Sequence, residues 1–74
     1  MKIKVNSIYR WKDTMVNQDD KNKGKVYFII LKIDERLIAI KYLGEGSVIY
    51  HSRSLFKDNN ITWVSDGKDS KQPD

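Results

Sequence analysis

Two neighbouring apolar segments constrain this chain more than any other part of its sequence. Residues 25–34 and 36–43 are rich in β-branched and aromatic side chains, and only the short polar break from Asp34 to Arg36 separates them. Such a pattern is typical of two strands joined by a tight turn. We therefore predict a central β-hairpin around which the rest of the chain is arranged.

The orientation of this hairpin is predicted from its two lysines. Because Lys32 and Lys41 must reach water, the residues that alternate with them are expected to face the core. The predicted inward residues are Tyr27, Ile29, Leu31, Ile33, Ile38 and Ile40. Val26, Phe28 and Ile30 then form a second apolar face, which must also be covered. A strongly bent barrel strand can do this by serving two sheets.

The size of the chain limits what it can build. It has 74 residues and no cysteine, so we expect one domain with a small core and no disulfide. A closed, strongly curved sheet suits such a domain because it wraps a few large side chains and removes exposed edges. No apolar run follows Met1–Val5 as in a signal peptide, and none is long enough to cross a bilayer. We predict a soluble, cytoplasmic monomer or weak dimer that does not contact a membrane.

The remaining segments are predicted to surround the hairpin as short strands and loops. In chain order they are a strand at Ile8–Trp11, a long mobile loop at Lys12–Lys23 closed by Gly24, a glycine turn at residues 44–47, a strand at Val48–Ser52, a helical turn within residues 52–57 and a strand at Ile61–Val64. Residues 1–65 would then form the domain. Residues 66–74 are predicted to be a disordered polar tail.

This succession of elements resembles the SH3-like small barrel, an all-β fold with five strands. The resemblance lies in layout over roughly Val5–Val64, with a long loop after strand 1 and a single helical turn before strand 5. The signature of peptide-binding SH3 domains is missing, since no Ala-Leu-Tyr-Asp-Tyr-like run precedes the loop and no Trp-Trp pair follows it. Fragments such as Ile8–Trp11 and Ile61–Val64 are similar to short SH3-like proteins of phages and mobile elements. That resemblance implies a protein that binds a partner and catalyses nothing.

The residue types needed for catalysis are scarce. His51 is the only histidine, and its neighbour Ser52 would point to the opposite face of a strand, so the two cannot act as a base and a nucleophile. Gly44 and Gly46 lack the third glycine and the helix of a dinucleotide site. We predict no catalytic residue, no metal site and no cofactor, and therefore a protein that is not an enzyme.

Cations placed next to aromatic residues are the main candidates for binding. The formal net charge is +4, and eight aromatic residues accompany fourteen Lys and Arg. Aromatic rings can stack on bases while Lys and Arg meet phosphates, which favours DNA or RNA as the partner. The predicted binding residues are Tyr9, Arg10, Trp11, Lys12, Lys41, Tyr42, Tyr50 and Arg53.

A second interpretation stays open on the same residues. The rings could build the core, with the cations on the opposite face. The chain would then be a protein-binding adaptor or an inhibitor of a host protein, of the kind that phages or mobile elements encode. This interpretation predicts an apolar patch rimmed by mixed charge, or a free sheet edge. The acidic residues of the long loop favour it over nucleic acid.

Overall fold

Short strands dominate the structure, a computed structural model that describes residues 3–66. The strands are β1 (Ile8–Trp11), β2 (Tyr27–Ile33), β3 (Leu37–Tyr42), β4 (Val48–Ser52) and β5 (Ile61–Ser65). Each is a run of mainly β-branched or aromatic residues, which explains its extended conformation. All five predicted strands are therefore confirmed.

The five strands form one antiparallel sheet in the order β4-β3-β2-β1-β5. This confirms the all-β fold class. The sheet is open, however, because β4 pairs only with β3 and β5 only with β1 within residues 3–66. The sequence predicts that the strands close into a barrel, but backbone pairing does not close the sheet. Side chains from the loops cover the inner face of the sheet instead.

The segment from Lys12 to Lys23 is more ordered than predicted. It contains a 3₁₀ turn at Asp13–Met15 and a short helix, α1, at Gln18–Asn22. The side chain of Asn17 caps this helix by accepting a hydrogen bond from the Asp20 amide at 2.9 Å. Gly24 then ends the segment with a φ of +76°, a conformation that favours glycine, as the sequence predicts.

The predicted inward face of β2 is wrong for the first half of the strand, whereas Ile33 packs against the core as predicted. Phe28 and Ile30 are fully buried, whereas Tyr27 is 44% exposed. The cause is a β-bulge: Ile30 pairs with Ile40, but Lys32 pairs with Ala39, which leaves Leu31 as an extra residue. The bulge reverses the alternation, so counting back from Lys32 assigns the first half of the strand to the wrong face.

The core lies on the inner face of the sheet. Its buried residues are Tyr9, Trp11, Phe28, Ile30, Ile38, Ile40, Tyr42, Phe56 and Ile61. The prediction that Ile38 and Ile40 face inward is confirmed. Phe28 lies at the centre of an aromatic cluster, with ring centroids 4.9 Å from Trp11 and 5.8 Å from Phe56. Aromatic contacts of this kind supply much of the stability of a small core.

The predicted helical turn before the last strand is confirmed as a 3₁₀ turn at Arg53–Leu55. The Ser52 hydroxyl accepts a hydrogen bond from the Ser54 amide at 3.4 Å, as expected of a capping serine. The turn delivers Phe56 to the core, where it is 7% exposed. Of the predicted tail, only Asp66 is described, and residues 67–74 lie outside the described part of the chain.

Candidate binding surface

Three of the predicted binding residues are core residues. Tyr9, Trp11 and Tyr42 are 2%, 5% and 8% exposed. The Trp11 indole Nε1 donates a buried hydrogen bond to the Tyr42 hydroxyl at 2.9 Å. Burial raises the pKa of the Tyr42 hydroxyl, and this hydrogen bond opposes the rise. None of the three rings offers a free face to a base, so this part of the predicted nucleic-acid site is not formed.

The other predicted residues are accessible but dispersed. Tyr50 is 60% exposed on β4, and Lys12 and Lys41 are half-buried. Arg10 lies with its guanidinium carbon 5.7 Å from the centroid of the Tyr27 ring, and its Nη2 is 3.4 Å from an Asp13 carboxylate oxygen. Arg53 is exposed and donates a hydrogen bond to the Asp34 carbonyl at 3.1 Å. The structure therefore separates the predicted cations from most of the predicted rings.

A set of side chains that includes Tyr50 but none of the other predicted rings forms a continuous surface on the outer face of the sheet. Strand alternation places them opposite the core, and the strand registers make them neighbours. We call this set the outer-face patch; it consists of Tyr27, Ile29, Leu37, Leu43, Val48 and Tyr50. All but Ile29, which is half-buried, are 44–60% exposed. Large contiguous apolar surfaces of this type mark interaction sites in small proteins.

The charge on this face is exclusively positive at strand positions. The five strands carry Arg10, Lys32 and Lys41, and they contain no Asp or Glu. Lys41 lies in the middle of the outer-face patch, between Ile29 on β2 and Val48 on β4. Within residues 3–66 no carboxylate forms an ion pair with it. Its ammonium group is thus available to an acidic group of a partner.

Two carboxylates that are close to the patch in sequence, those of Glu45 and Asp34, are paired with lysines. Glu45 lies 4.0 Å from the Lys25 ammonium, and Asp34 lies 3.7 Å from that of Lys32. Both pairs are at the turns that flank β3. Exposed pairs of this kind contribute little to stability, but they neutralise local negative charge. The rim of the patch is therefore mixed in charge, while its centre is cationic.

His51 combines a buried ring nitrogen with close aromatic neighbours. Its Nε2 is buried without a hydrogen-bond partner in the described part of the chain, and its ring meets Trp11 edge-on at a centroid distance of 5.7 Å. Burial lowers the pKa of the imidazole. Ser52 is the next residue of the same strand, so it faces the other side of the sheet. His51 is accordingly part of the aromatic cluster, and Ser52 does not face its ring.

Metal binding has no obvious site in the described residues. No group of three or more His, Asp or Glu side chains in residues 3–66 is placed to hold an ion. Among the same residues, no helix is both long and apolar enough to span a bilayer.

The sequence analysis placed Tyr27 and Ile29 of the outer-face patch in the core, and it assigned no binding role to Leu37, Leu43 and Val48. One signal in the sequence could have revealed the patch. β2 is apolar on both faces, and only one face of a strand can line the core of a single open sheet. The exposed positions on β3 and β4 follow from the same alternation once the inward face is known.

Comparisons with protein-family models, curated proteins and solved structures give no match for this chain.

Proposed function

We propose that this chain is a non-enzymatic binding module that uses the outer-face patch to bind a protein. The observation that carries the proposal is the exposure of five large apolar side chains on one side of one sheet. Such side chains are costly to leave in water, at about 25 cal/mol per Å² of apolar surface, so covering them favours association. A cationic centre within an apolar surface selects a partner that also carries acidic groups.

The layout proposed for the domain is SH3-like. The succession of five strands, with a 3₁₀ turn before β5, supports this layout. The open edges of β4 and β5 are where it departs from a closed barrel. The module is proposed to act as an adaptor or as an inhibitor of a host protein, in line with its resemblance to small proteins of phages and mobile elements. The cytoplasmic location stays a prediction.

Nucleic acid is the second candidate, and a specific observation favours it. Cations are the only charged residues in the strands, and Arg10 and Lys41 share the outer face with Tyr27 and Tyr50. Rings and cations on one sheet face can bind single strands. The aliphatic residues between them make the surface more suited to protein, which is why protein is proposed first.

The proposal is tested with one variant of the outer-face patch and one matched control variant. Val48→Ser combined with Tyr50→Ser removes two exposed side chains of the outer-face patch. Trp63→Ser removes a comparable side chain, 53% exposed, from β5 at the other edge of the sheet. Each protein is immobilised and incubated with a nuclease-treated lysate of the encoding organism.

We expect the unchanged chain and Trp63→Ser to retain the same protein, and the double variant to lose it. Retention of that protein by the double variant would contradict the proposal. In parallel, fluorescence anisotropy with single-stranded DNA, duplex DNA and RNA at low salt tests the second candidate. Submicromolar binding that weakens steeply with salt, together with no retained protein, would assign the surface to nucleic acid.

A further inference from the structure

The two edges of the sheet differ in how well they are protected. β4 pairs with β3 over five consecutive residue pairs without a register shift. On its other side, its backbone makes no hydrogen bond to any residue from 3 to 66. β5, by contrast, contains a bulge: Ser65 pairs with Ile8 and Trp63 with Tyr9, which leaves Val64 as an extra residue.

Natural proteins usually block a free edge with a lysine, a proline or a bulge, because such an edge is a template for another strand. β5 has its bulge, and its first amide, that of Ile61, is bonded to the Lys57 carbonyl at 3.1 Å. β4 has none of these devices: its sequence, Val48–Ser52, contains no lysine, no proline and no carboxylate. Among the residues that the structure describes, β4 is therefore a regular edge whose free side is unpaired.

We infer that this edge of β4 binds an extended, acidic segment of the partner protein by strand addition. The inference rests on the proposed function and specifies how the partner is held. An added strand would form main-chain hydrogen bonds to β4, and its alternate side chains would extend both faces of the sheet. On the outer face they would lie beside Val48 and Tyr50, which are 48% and 60% exposed.

The charges around β4 specify an acidic segment. Lys41 is directly opposite Val48 on the neighbouring strand. At the other end of β4, the amide of Arg53 bonds to the Arg36 carbonyl at 2.8 Å, which brings these two residues together. Neither arginine forms an ion pair with a carboxylate in residues 3–66. Cations thus flank the edge at both ends, and glutamate or aspartate near the ends of the incoming strand would pair with them.

The same charges disfavour a second copy of this chain as the added strand. An antiparallel pair of β4 strands would bring Lys41, Arg53 and their counterparts in the second copy into one surface. Each chain also carries a net charge of +4, so the two copies would repel each other. An acidic segment is instead attracted by the net positive charge of the chain.

A synthetic peptide tests the inference directly. The probe has seven residues, with glutamate at both ends and alternating valine and threonine between them, and both termini are blocked. It is titrated into the full chain at low salt, and the backbone amides are followed by ¹⁵N NMR and hydrogen exchange. We expect shifts and slowed exchange concentrated in Val48–Ser52, with binding in the submillimolar range.

Three controls separate strand addition from other contacts. N-methylation of alternate peptide amides, made in both registers, should weaken binding about tenfold or more in one register, because main-chain hydrogen bonds are lost. Lysine in place of the terminal glutamates should weaken it at least severalfold. Lys41→Gln should also weaken it, whereas Lys32→Gln, which removes a strand lysine already paired with Asp34, should not.

Several results would overturn the inference. These are no shifts at millimolar peptide, shifts centred on β5, or equal binding by both N-methylated registers and the parent peptide. Concentration-dependent shifts of β4 without peptide would assign the edge to a second copy instead. If strand addition fails in these ways but the double variant at Val48 and Tyr50 still loses its protein, the proposed function stands and only its binding mode is wrong.

Discussion

The two faces of the central sheet are built from the same kinds of side chain, yet only one of them is covered. On β2, Phe28 is fully buried, and its neighbour Tyr27 is 44% exposed. The inner face is covered by Phe56, which the 3₁₀ turn at Arg53–Leu55 delivers, and by half-buried residues such as Val16 from the loop. No loop within residues 3–66 does this for the outer face, whose large apolar side chains stay exposed. Apolar content alone therefore does not identify the core of a small sheet; the covering segments do.

The two faces should differ most in how much stability is lost when Phe28 or Tyr27 is replaced by alanine. Phe28→Ala should cost about 3–5 kcal/mol of unfolding free energy, because it removes the centre of the aromatic cluster. Tyr27→Ala should cost no more than about 1 kcal/mol, since the ring is half in water. Urea unfolding followed by circular dichroism measures both. Similar losses for the two variants would mean that the faces are not distinct.

Removing the hydrogen bond between Trp11 and Tyr42 should cause the next largest loss of unfolding free energy. Tyr42→Phe leaves the buried indole N–H without its partner, so we expect a loss of about 1–3 kcal/mol. Tyr50→Phe is the matched control, because this tyrosine is 60% exposed and should change stability by no more than about 0.5 kcal/mol. A neutral Tyr42→Phe variant would show that the indole finds another acceptor.

Lowering the pH should reduce the free energy of unfolding through His51, which lies on the inner face. Burial lowers the pKa of this histidine below its unfolded value of about 6.5, so the unfolded chain binds the proton more readily. Stability is then complete above that pH and falls as the pH drops from it towards the folded-state pKa. The ring is only half-buried, so the slope should stay well below the limit of about 1.4 kcal/mol per pH unit for one proton.

The matched variant for this effect is His51→Phe, which keeps an aromatic ring beside Trp11 and Phe56 but does not titrate. Carboxylates titrate in both proteins, so the difference between their stability curves isolates the histidine. Curves that run parallel from pH 7 to pH 5 would show that the imidazole is freely hydrated in the folded state.

The smallest stability effect is expected on the outer-face patch. Val48→Ser combined with Tyr50→Ser should change the unfolding free energy by no more than about 1 kcal/mol, because both side chains are exposed. The same change should reduce the fluorescence of a bound apolar dye such as ANS, while Trp63→Ser should reduce it less. A large loss of stability would show that the patch supports the fold and is not free for a partner.

Much of the architecture could be predicted from the sequence, because its strands are short, strongly β-forming runs separated by polar or glycine turns. The tight turn from Asp34 to Arg36 and the helical turn that follows Ser52 are examples. The sequence does not reveal which side chains of β2 point to the core. The strand is apolar on both sides, so the pattern gives no sign of the bulge at Leu31. Alternation from Lys32 then gives the wrong answer for the first half of the strand.

The candidate binding surface is harder to predict than the fold. Cations next to Tyr9 and Trp11 looked like a stacking surface, yet alternation sends Arg10 to one face and these two rings to the other. Neighbours in sequence are therefore not neighbours on the surface of a strand. The patch instead joins residues from three strands, and only the strand registers reveal that Tyr27, Val48 and Tyr50 share a face.

The most direct test of the two-faced sheet is which aromatic rings a dissolved dye can reach. Photochemically induced dynamic nuclear polarisation enhances the NMR signals of Tyr, Trp and His rings only where the dye has access to them. We expect enhanced signals for Tyr27, Tyr50 and Trp63, and none for Tyr9, Trp11 and Tyr42. Enhancement of Trp11 and Tyr42 with silence at Tyr27 and Tyr50 would contradict this expectation, since the inner face would then be the exposed one.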